Sequence, residues 1–257
     1  WPMPGKDTDD DGLPDNAEIQ ADIAVGKEPT TPVLASGPFV RRSILVTTTT
    51  GLPVPNIDPS DNGRRLYNRD WTVECWVYLR DNGVIEYSGA FIRGRVTVTK
   101  LIRTAYELGV TNSVPYIMFD TIGGKRYRAS SVNKLEKNKW LHLAGVFDHA
   151  RNSLSLLIDG LLDQSLQVLE ESSSSFGMSY GGLVALGVNA GAAGTANFTN
   201  NLWMDEVRIW GVPRNTDEVA DNRWHLVDPF QVTTIPPYTF ENQNALFAYF
   251  SFDDGDD

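Results

Sequence analysis

Trp71-Thr-Val-Glu-Cys-Trp-Val-Tyr-Leu79 decides the fold class. Trp71, Val73, Cys75, Val77 and Leu79 fall on one side of an extended chain, and Thr72, Glu74, Trp76 and Tyr78 on the other. A period of two marks a half-buried strand. Working outward, Pro115 to Phe119 is a short apolar run that ends at Asp120, and Trp140 to Phe147 reads as a further strand. Ser153 to Ile158 runs into Asp159-Gly160, the pair that most strongly favours a two-residue hairpin, and continues into Leu161 and Leu162. Leu183 to Val188 and Trp203 to Trp210 are strands by the same reading. Asn215, followed three residues later by Glu218, predicts a capped short helix over Thr216 to Arg223. Many short strands separated by turns, with little helical periodicity, predict an all-β protein: a two-sheet antiparallel sandwich with one or two short helices.

The chain has 257 residues, and 22 Lys+Arg against 33 Asp+Glu give a formal charge of −11. An acidic surface excludes nucleic acid as a partner, because phosphate binding needs clustered positive charge. It suits a protein that collects divalent cations or stays soluble outside a cell. No apolar run approaches the ~18 residues that cross a bilayer as a helix, so membrane insertion is not expected. The sequence begins at Trp1, which reads as a processed chain or a piece of a longer one. Cys75 stands alone, and His142, His149 and His225 share no ligand spacing. Thiol and zinc chemistry are excluded on those grounds.

The segment up to residue 32 has a different character: acidic, rich in proline, with one helix-compatible stretch from Asp15 to Val25. It divides the chain into 1–32, a calcium-binding repeat and linker, and 33–257, the sandwich. Within it, Asp7-Thr-Asp9-Asp-Asp11-Gly12-Leu13-Pro-Asp15-Asn-Ala-Glu18 follows the spacing of a twelve-position calcium loop. Asp7, Asp9, Asp11 and Asp15 supply carboxylates, Leu13 its backbone carbonyl, and Glu18 the bidentate final ligand. A hard cation wants six to eight oxygens at ~2.4 Å, and without one these carboxylates would repel one another. Ca2+ is therefore the expected cofactor. The helix that would precede such a loop in a full helix–loop–helix module is missing, since Trp1 to Lys6 is short and holds Pro2 and Pro4. The loop instead resembles bacterial thrombospondin type 3 repeats, a likeness that implies a calcium-stiffened spacer in an extracellular protein.

Three stretches together resemble the laminin G-like, concanavalin A-like jelly roll of bacterial surface proteins. They are Trp71 to Leu79; Lys139 to Asp148 continuing through Leu154 to Gly160; and Leu202-Trp-Met-Asp-Glu-Val-Arg-Ile-Trp210 followed by Pro213-Arg-Asn. The resemblance spans Val33 to Val227. If Asp205 shares the core-facing side of its strand with Val207 and Ile209, it must be paired, hydrogen-bonded or metal-bound. The resemblance implies a structural calcium there; satisfaction by backbone N–H groups or an arginine is the alternative. Trp140 and Trp210 read as packing residues, although seven tryptophans would permit an exposed platform for a sugar ring.

Some relatives of this fold are glycoside hydrolases that carry alternating carboxylates on one strand face. No such run exists here: Glu170 and Glu171 are adjacent, as are Asp205 and Glu206, and adjacent residues point to opposite faces. The chain is thus expected not to be an enzyme. Ala245 to Phe252 is apolar on both faces, which predicts a central strand. It either folds back into its own sandwich or inserts into a neighbouring chain, giving a homo-oligomer or fibre. The leading expectation is an extracellular calcium-binding adhesion or structural module at a bacterial surface. The alternative is a carbohydrate-binding domain of a secreted polysaccharide-degrading protein, with a glycan as partner.

Overall fold

The structure is a computed structural model that describes residues 43–47, 51–54, 70–83, 86–98, 101–121, 123–169, 183–189, 198–223, 246–250 and 252. Among these residues thirteen strands follow one another: β1 Ile44–Leu45, β2 Leu52–Val54, β3 Trp71–Leu79, β4 Gly89–Val98, β5 Leu101–Thr111, β6 Val114–Asp120, β7 Arg126–Ser130, β8 Trp140–Asp148, β9 Ser153–Ile158, β10 Leu161–Gln167, β11 Leu183–Asn189, β12 Leu202–Trp210 and β13 Leu246–Phe250. Among the described residues there is one helix, α1 (Thr216–Asn222), between β12 and β13. The strands make a seven-stranded sheet in the order β1-β12-β3-β8-β9-β10, with β13 also on β12, and a six-stranded sheet in the order β2-β11-β4-β5-β6-β7. Every pairing in both is antiparallel. This is the expected jelly-roll sandwich.

The core is what the alternation in β3 dictates. Trp71, Val73, Cys75, Val77 and Leu79 all sit in the main buried cluster, facing Phe91, Ile92, Leu108, Ile117 and Phe119 of the other sheet. Trp71 anchors an aromatic group, with Tyr106, Phe147 and Phe119 at 5.8, 5.9 and 6.1 Å between centroids. Gly145 allows the sheets to approach: a Cβ there would lie 2.3 Å from the Ile117 side chain. Burial holds the Cys75 thiol well above the ordinary range, as an inert core residue.

The Asp159-Gly160 turn forms as its sequence demands, with φ of 51° and 77°. Gly160 does a second job, because a Cβ on it would meet the Ala220 backbone of α1 at 2.6 Å. The helix starts with the anticipated capping box: the Glu218 N–H donates to Asn215 Oδ1 at 2.9 Å, and the Asn215 N–H donates to Glu218 Oε2 at 2.7 Å. Val219 then packs on Ala144, Val146 and Leu157, the outward side of the seven-stranded sheet.

One expectation needs correction, and one pair of alternatives is decided. Asp205 does not share the core face with Val207 and Ile209. The pairing steps from Asp205 opposite Trp76 to Arg208 opposite Glu74, so β12 spends one more residue than β3 there. That bulge, with Glu206 at φ 47°, reverses the phase of the strand. Leu202 and Met204 face the core before it and Val207 and Ile209 after it, leaving Asp205 on the outer side beside Trp76. Of the two readings of the last strand, folding back is the one seen: β13 pairs with β12 of its own chain, Val207 opposite Phe250 and Arg208 opposite Tyr249, though among the described residues it pairs with β12 alone and so is not the central strand its sequence predicts. Ala248, Phe250 and Phe252 pack against the main core, while Leu246 and Tyr249 pack against Trp210. The C-terminal strand completes its own sheet.

Candidate functional site

The two outer faces of the sandwich have different fates. On the seven-stranded sheet, Thr72, Glu74 and Trp76 of β3 point away from the core and are roofed by the chain between β12 and the end of α1. Thr72 Oγ1 donates to Val212 O at 2.9 Å and accepts from the Arg214 N–H at 2.9 Å, while the Trp76 indole donates to Arg223 O at 3.0 Å. Under this roof lies a sealed charge cluster. Glu74 Oε1 accepts from Arg214 Nη1 at 2.5 Å and from the Trp210 indole at 2.8 Å, with Arg208 Nη1 at 3.6 Å. Burial alone would raise the pKa of Glu74, but the attraction of Arg214, then Arg208, outweighs it and holds the carboxyl below its usual range. His142 stands 3.7 Å from Glu74, and burial pushes its pKa down to about 3, so it is neutral there. Glu206 accepts from Arg208 at 2.5 Å and from the Tyr249 hydroxyl at 2.8 Å. These charges pair with one another and bind the roof to the sheet, although Glu74 Oε2 and His142 Nδ1 make no hydrogen bond; they are buried beneath the roof rather than presented to a ligand.

The six-stranded sheet has no such roof among the described residues. Along β5, Tyr106, Leu108 and Val110 face the core, so Glu107, Gly109 and Thr111 face outward. The same alternation turns out Tyr116, Met118 and Asp120 of β6, and Arg126, Arg128 and Ser130 of β7. Arg93, Glu107, Met118 and Arg128 are successive cross-strand partners on β4 to β7 and make one row across the sheet. Gly109 lies opposite Tyr116, and a Cβ on Gly109 would come within 3.0 Å of the tyrosine hydroxyl. The missing side chain lets the phenol lie over β5, where it donates to Glu107 Oε1 at 2.5 Å. Glu107 Oε2 accepts from Arg93 Nε at 2.5 Å. On the other side, the Arg128 guanidinium lies 3.7 Å from the Tyr116 ring centroid, held by bonds to Ser130 Oγ at 3.0 Å and Thr111 Oγ1 at 2.9 Å.

The result is a graded site. Glu107 and Tyr116 are buried at 3 % and 4 % exposure, Met118 makes an apolar floor at 7 %, and Arg93 and Arg128 come to the surface at either side. Arg93 spends only its Nε on Glu107, and among the described residues its Nη groups have no partner. An anchored guanidinium edge of this kind matches a carboxylate with two parallel hydrogen bonds. The face also holds Asp120, but Arg126 donates to it at 2.7 and 3.0 Å and the Thr104 N–H at 3.0 Å. Burial would raise the pKa of Asp120, and these hydrogen bonds outweigh it and lower it.

Of the residues singled out from sequence, Asp7, Asp9, Asp11, Leu13, Asp15 and Glu18 lie outside the described residues, as does the Asp15 to Val25 stretch. Asp205 is buried on the roofed face, its Oδ1 accepting from the Glu206 N–H at 2.7 Å. Among the described residues no group of three or more His, Cys, Asp and Glu side chains could hold a metal ion. Trp210 is a packing residue, as expected. Arg93, Glu107, Tyr116 and Arg128 escaped the sequence reading. Their signal was a period of two with arginine on the outward beat, as in Arg126-Tyr-Arg128-Ala-Ser130.

Residues 49–220, more than half of the chain, match the family model of the concanavalin A-like lectin/glucanases superfamily, laminin G type 3. The chain belongs to that superfamily. No curated protein sequence matches it. Among solved structures it resembles the CBM40 module of the Ruminococcus gnavus IT-sialidase bound to α2,3-sialyllactose, with 15 % identity over 70 % of this chain and 95 % of that one and a TM-score of 0.52. It also resembles a Bacteroides ovatus protein provisionally described as carbohydrate binding, at 15 % identity over 82 % of this chain and 53 % of that one, TM-score 0.49. A third is the heptameric SAP-like pentraxin of Limulus polyphemus, at 13 % identity over 69 % and 78 %, TM-score 0.44. The chain spans about half the length of the Bacteroides ovatus protein. At these identities the likeness is one of fold.

Proposed function

We propose that this chain is a non-catalytic carbohydrate-binding module that takes acidic sugars on the outer face of its six-stranded sheet. The observation that carries the reading is the Arg93 guanidinium, bonded through Nε to buried Glu107, on a side chain that stays partly exposed on that face. A sugar carboxylate would dock on the guanidinium edge, its C–H face would rest on Met118, and Arg128 on Tyr116 would meet hydroxyl or carboxylate oxygens at the other end of the row. The row spans three strand spacings, about 14 Å between the outer Cα atoms, which suits more than one sugar unit. The superfamily includes lectins by name, and the Ruminococcus gnavus module shows the same fold holding a sialylated sugar.

The non-catalytic part rests on the two carboxylates of that face. Glu107 is engaged through both oxygens by Arg93 and Tyr116, and the hydrogen bonds to Asp120 hold its pKa down, the opposite of the raised-pKa acid that glycoside hydrolysis needs. The acidic loop Asp7 to Glu18 belongs to the proposal as a calcium-stiffened spacer, since its donor set is the all-oxygen one a hard cation prefers. The setting proposed is extracellular. Calorimetric titration with Ca2+ tests the spacer, with binding expected in the full chain and lost when Asp7, Asp9 and Asp11 are all changed to Asn. Self-assembly by strand addition is the weaker reading, because β13 already pairs with β12.

Affinity electrophoresis in gels containing polygalacturonate, alginate or a neutral glucan tests the main claim. With a formal charge of −11, the chain is repelled by polyanions overall, so retention reports a local site. The expected result is retardation by an acidic polysaccharide, weakened by salt and abolished by Arg93→Gln. Equal mobility in all gels would overturn the proposal.

A further inference from the structure

The roof on the seven-stranded sheet stops one row short. Its outer face is ordered in cross-strand rows: Trp210, Thr72 and Val146; then Arg208, Glu74 and Ala144; then Asp205, Trp76 and His142. All of these are buried. The fourth row is Trp203 on β12, Tyr78 on β3 and Trp140 on β8, and all three side chains are partly exposed. Tyr78 stands between the two tryptophans, 5.6 Å from each between ring centroids. It is nearly perpendicular to Trp203, at 87°, and tilted by 55° to Trp140.

The tryptophans of this sheet face fall into two kinds. Trp76 and Trp210 are 3 % and 5 % exposed, and their indole N–H groups are spent on Arg223 O and Glu74 Oε1. Trp140 and Trp203 are partly exposed, and their indole N–H groups make no hydrogen bond among the described residues. Buried indoles normally find an acceptor, so two open ones beside a third ring make a surface with directed donors on it. Hydrogen-bonding groups border the row at the same end of the sheet. The Arg80 guanidinium lies 5.7 Å from the Trp203 ring centroid, the Asn82 amide bonds to Asn201 Oδ1, and Asn138 Oδ1 accepts from the Asp81 N–H at 2.7 Å.

A perpendicular pair of rings offers a corner with a floor and a wall, not the flat apolar strip on which a helix or a second sheet would lie. A pyranose has the matching shape: one face of C–H groups for a ring face, and an equatorial rim of hydroxyls for indole N–H, amide and guanidinium groups. We propose that Trp203, Tyr78 and Trp140 form a second glycan-binding site, for an uncharged sugar ring, on the opposite sheet from Arg93. It rests on no residue of the acidic-sugar site, and the two would let one module hold two chains or two stretches of one chain.

Tryptophan emission of the full chain, titrated with neutral gluco-, manno- and xylo-hexasaccharides at up to millimolar concentration, tests it. The expected result is a saturable change with at least one of them, equally strong in Arg93→Gln. Trp203→Ala and Trp140→Ala should each weaken it about tenfold or more. Trp203→Phe, which keeps a ring face, should retain part of the binding, and unchanged urea midpoints would show that the variants remain folded. No saturable change with any probe, or binding indifferent to Trp203 and Trp140, would overturn the inference while leaving the Arg93 site standing. So would a dimer in light scattering that those two substitutions dissolve, since the row would then be a contact between copies of the chain.

Discussion

Changing Glu74 to Gln keeps the shape of the side chain and removes the one negative charge that Arg214 contacts among the described residues. In the folded protein Arg214 would keep the Glu218 carbonyl at 2.8 Å and the Trp210 ring at 4.5 Å, with its side chain only 5 % exposed. Arg208 would still hold Glu206 at 2.5 Å, so one buried cation, not two, is left without a counter-charge. Breaking a buried ion pair from one side costs about 3–5 kcal/mol, against a total stability of about 5–15 kcal/mol for a domain. At about 2–4 °C per kcal/mol for a chain of this size, the melting temperature should fall by about 6–20 °C. Urea unfolding monitored by tryptophan emission is the assay, with the midpoint falling and the slope unchanged. Removing the stranded cation as well, in Glu74→Gln/Arg214→Met, should recover part of the loss, because a buried pair replaced by apolar groups is often neutral. A loss below about 1 kcal/mol in the single variant would refute the assignment of Glu74 as the counter-charge that ties the roof to the sheet.

Stability should also fall in acid in two stages. His142 has a folded pKa near 3 against an ordinary 6.5, so the unfolded chain takes up its proton first and stability declines as pH drops below about 6.5, by at most about 1.4 kcal/mol per unit. Glu74 and Asp120 have lowered folded pKa values; their contributions are present above the ordinary carboxylate range and are lost as pH falls through it, visible as a steepening below about 4.5 in urea midpoints measured against pH. Gly109→Ala should destabilise the sandwich and displace Tyr116, because the new Cβ would lie 2.3 Å from Gly89 O; a wild-type urea midpoint would contradict that geometry. Asn215→Ala removes the helix cap and should cost about 1 kcal/mol by the same assay, with sugar binding on the six-stranded sheet unaffected.

The frame of the fold was legible because its central strands carry simple patterns. β3, β8, β9 and β12 are apolar on the core side throughout, and the Asp159-Gly160 turn and Asn215–Glu218 cap each depend on two residues whose chemistry is local. The bulge at Glu206 was not legible: nothing in Met204-Asp-Glu-Val207 announces an extra residue, and of the carboxylate's two partners Arg208 lies two residues on while Tyr249 comes from the far end of the chain. The candidate site was missed for a related reason. β4, β5 and β7 carry arginine, glycine and glutamate on their outward beat, and β4 and β5 are bulged against each other near Gly94, which blurs the alternation. Glu107, Tyr116 and Arg93 lie on three different strands, and only the sheet register brings them together.

The most direct test of the central claim is to follow the side-chain Nε–Hε resonances of the arginines while the full chain is titrated with trigalacturonate, and separately with glucuronate and sialyllactose. Saturable shifts are expected at Arg93 and Arg128 with at least one of these sugars, with no shift at Arg208 or Arg214 and loss of the response in Arg93→Gln. Arginine resonances that stay unmoved with every acidic sugar, or that move only at positions away from the six-stranded sheet, would contradict that claim.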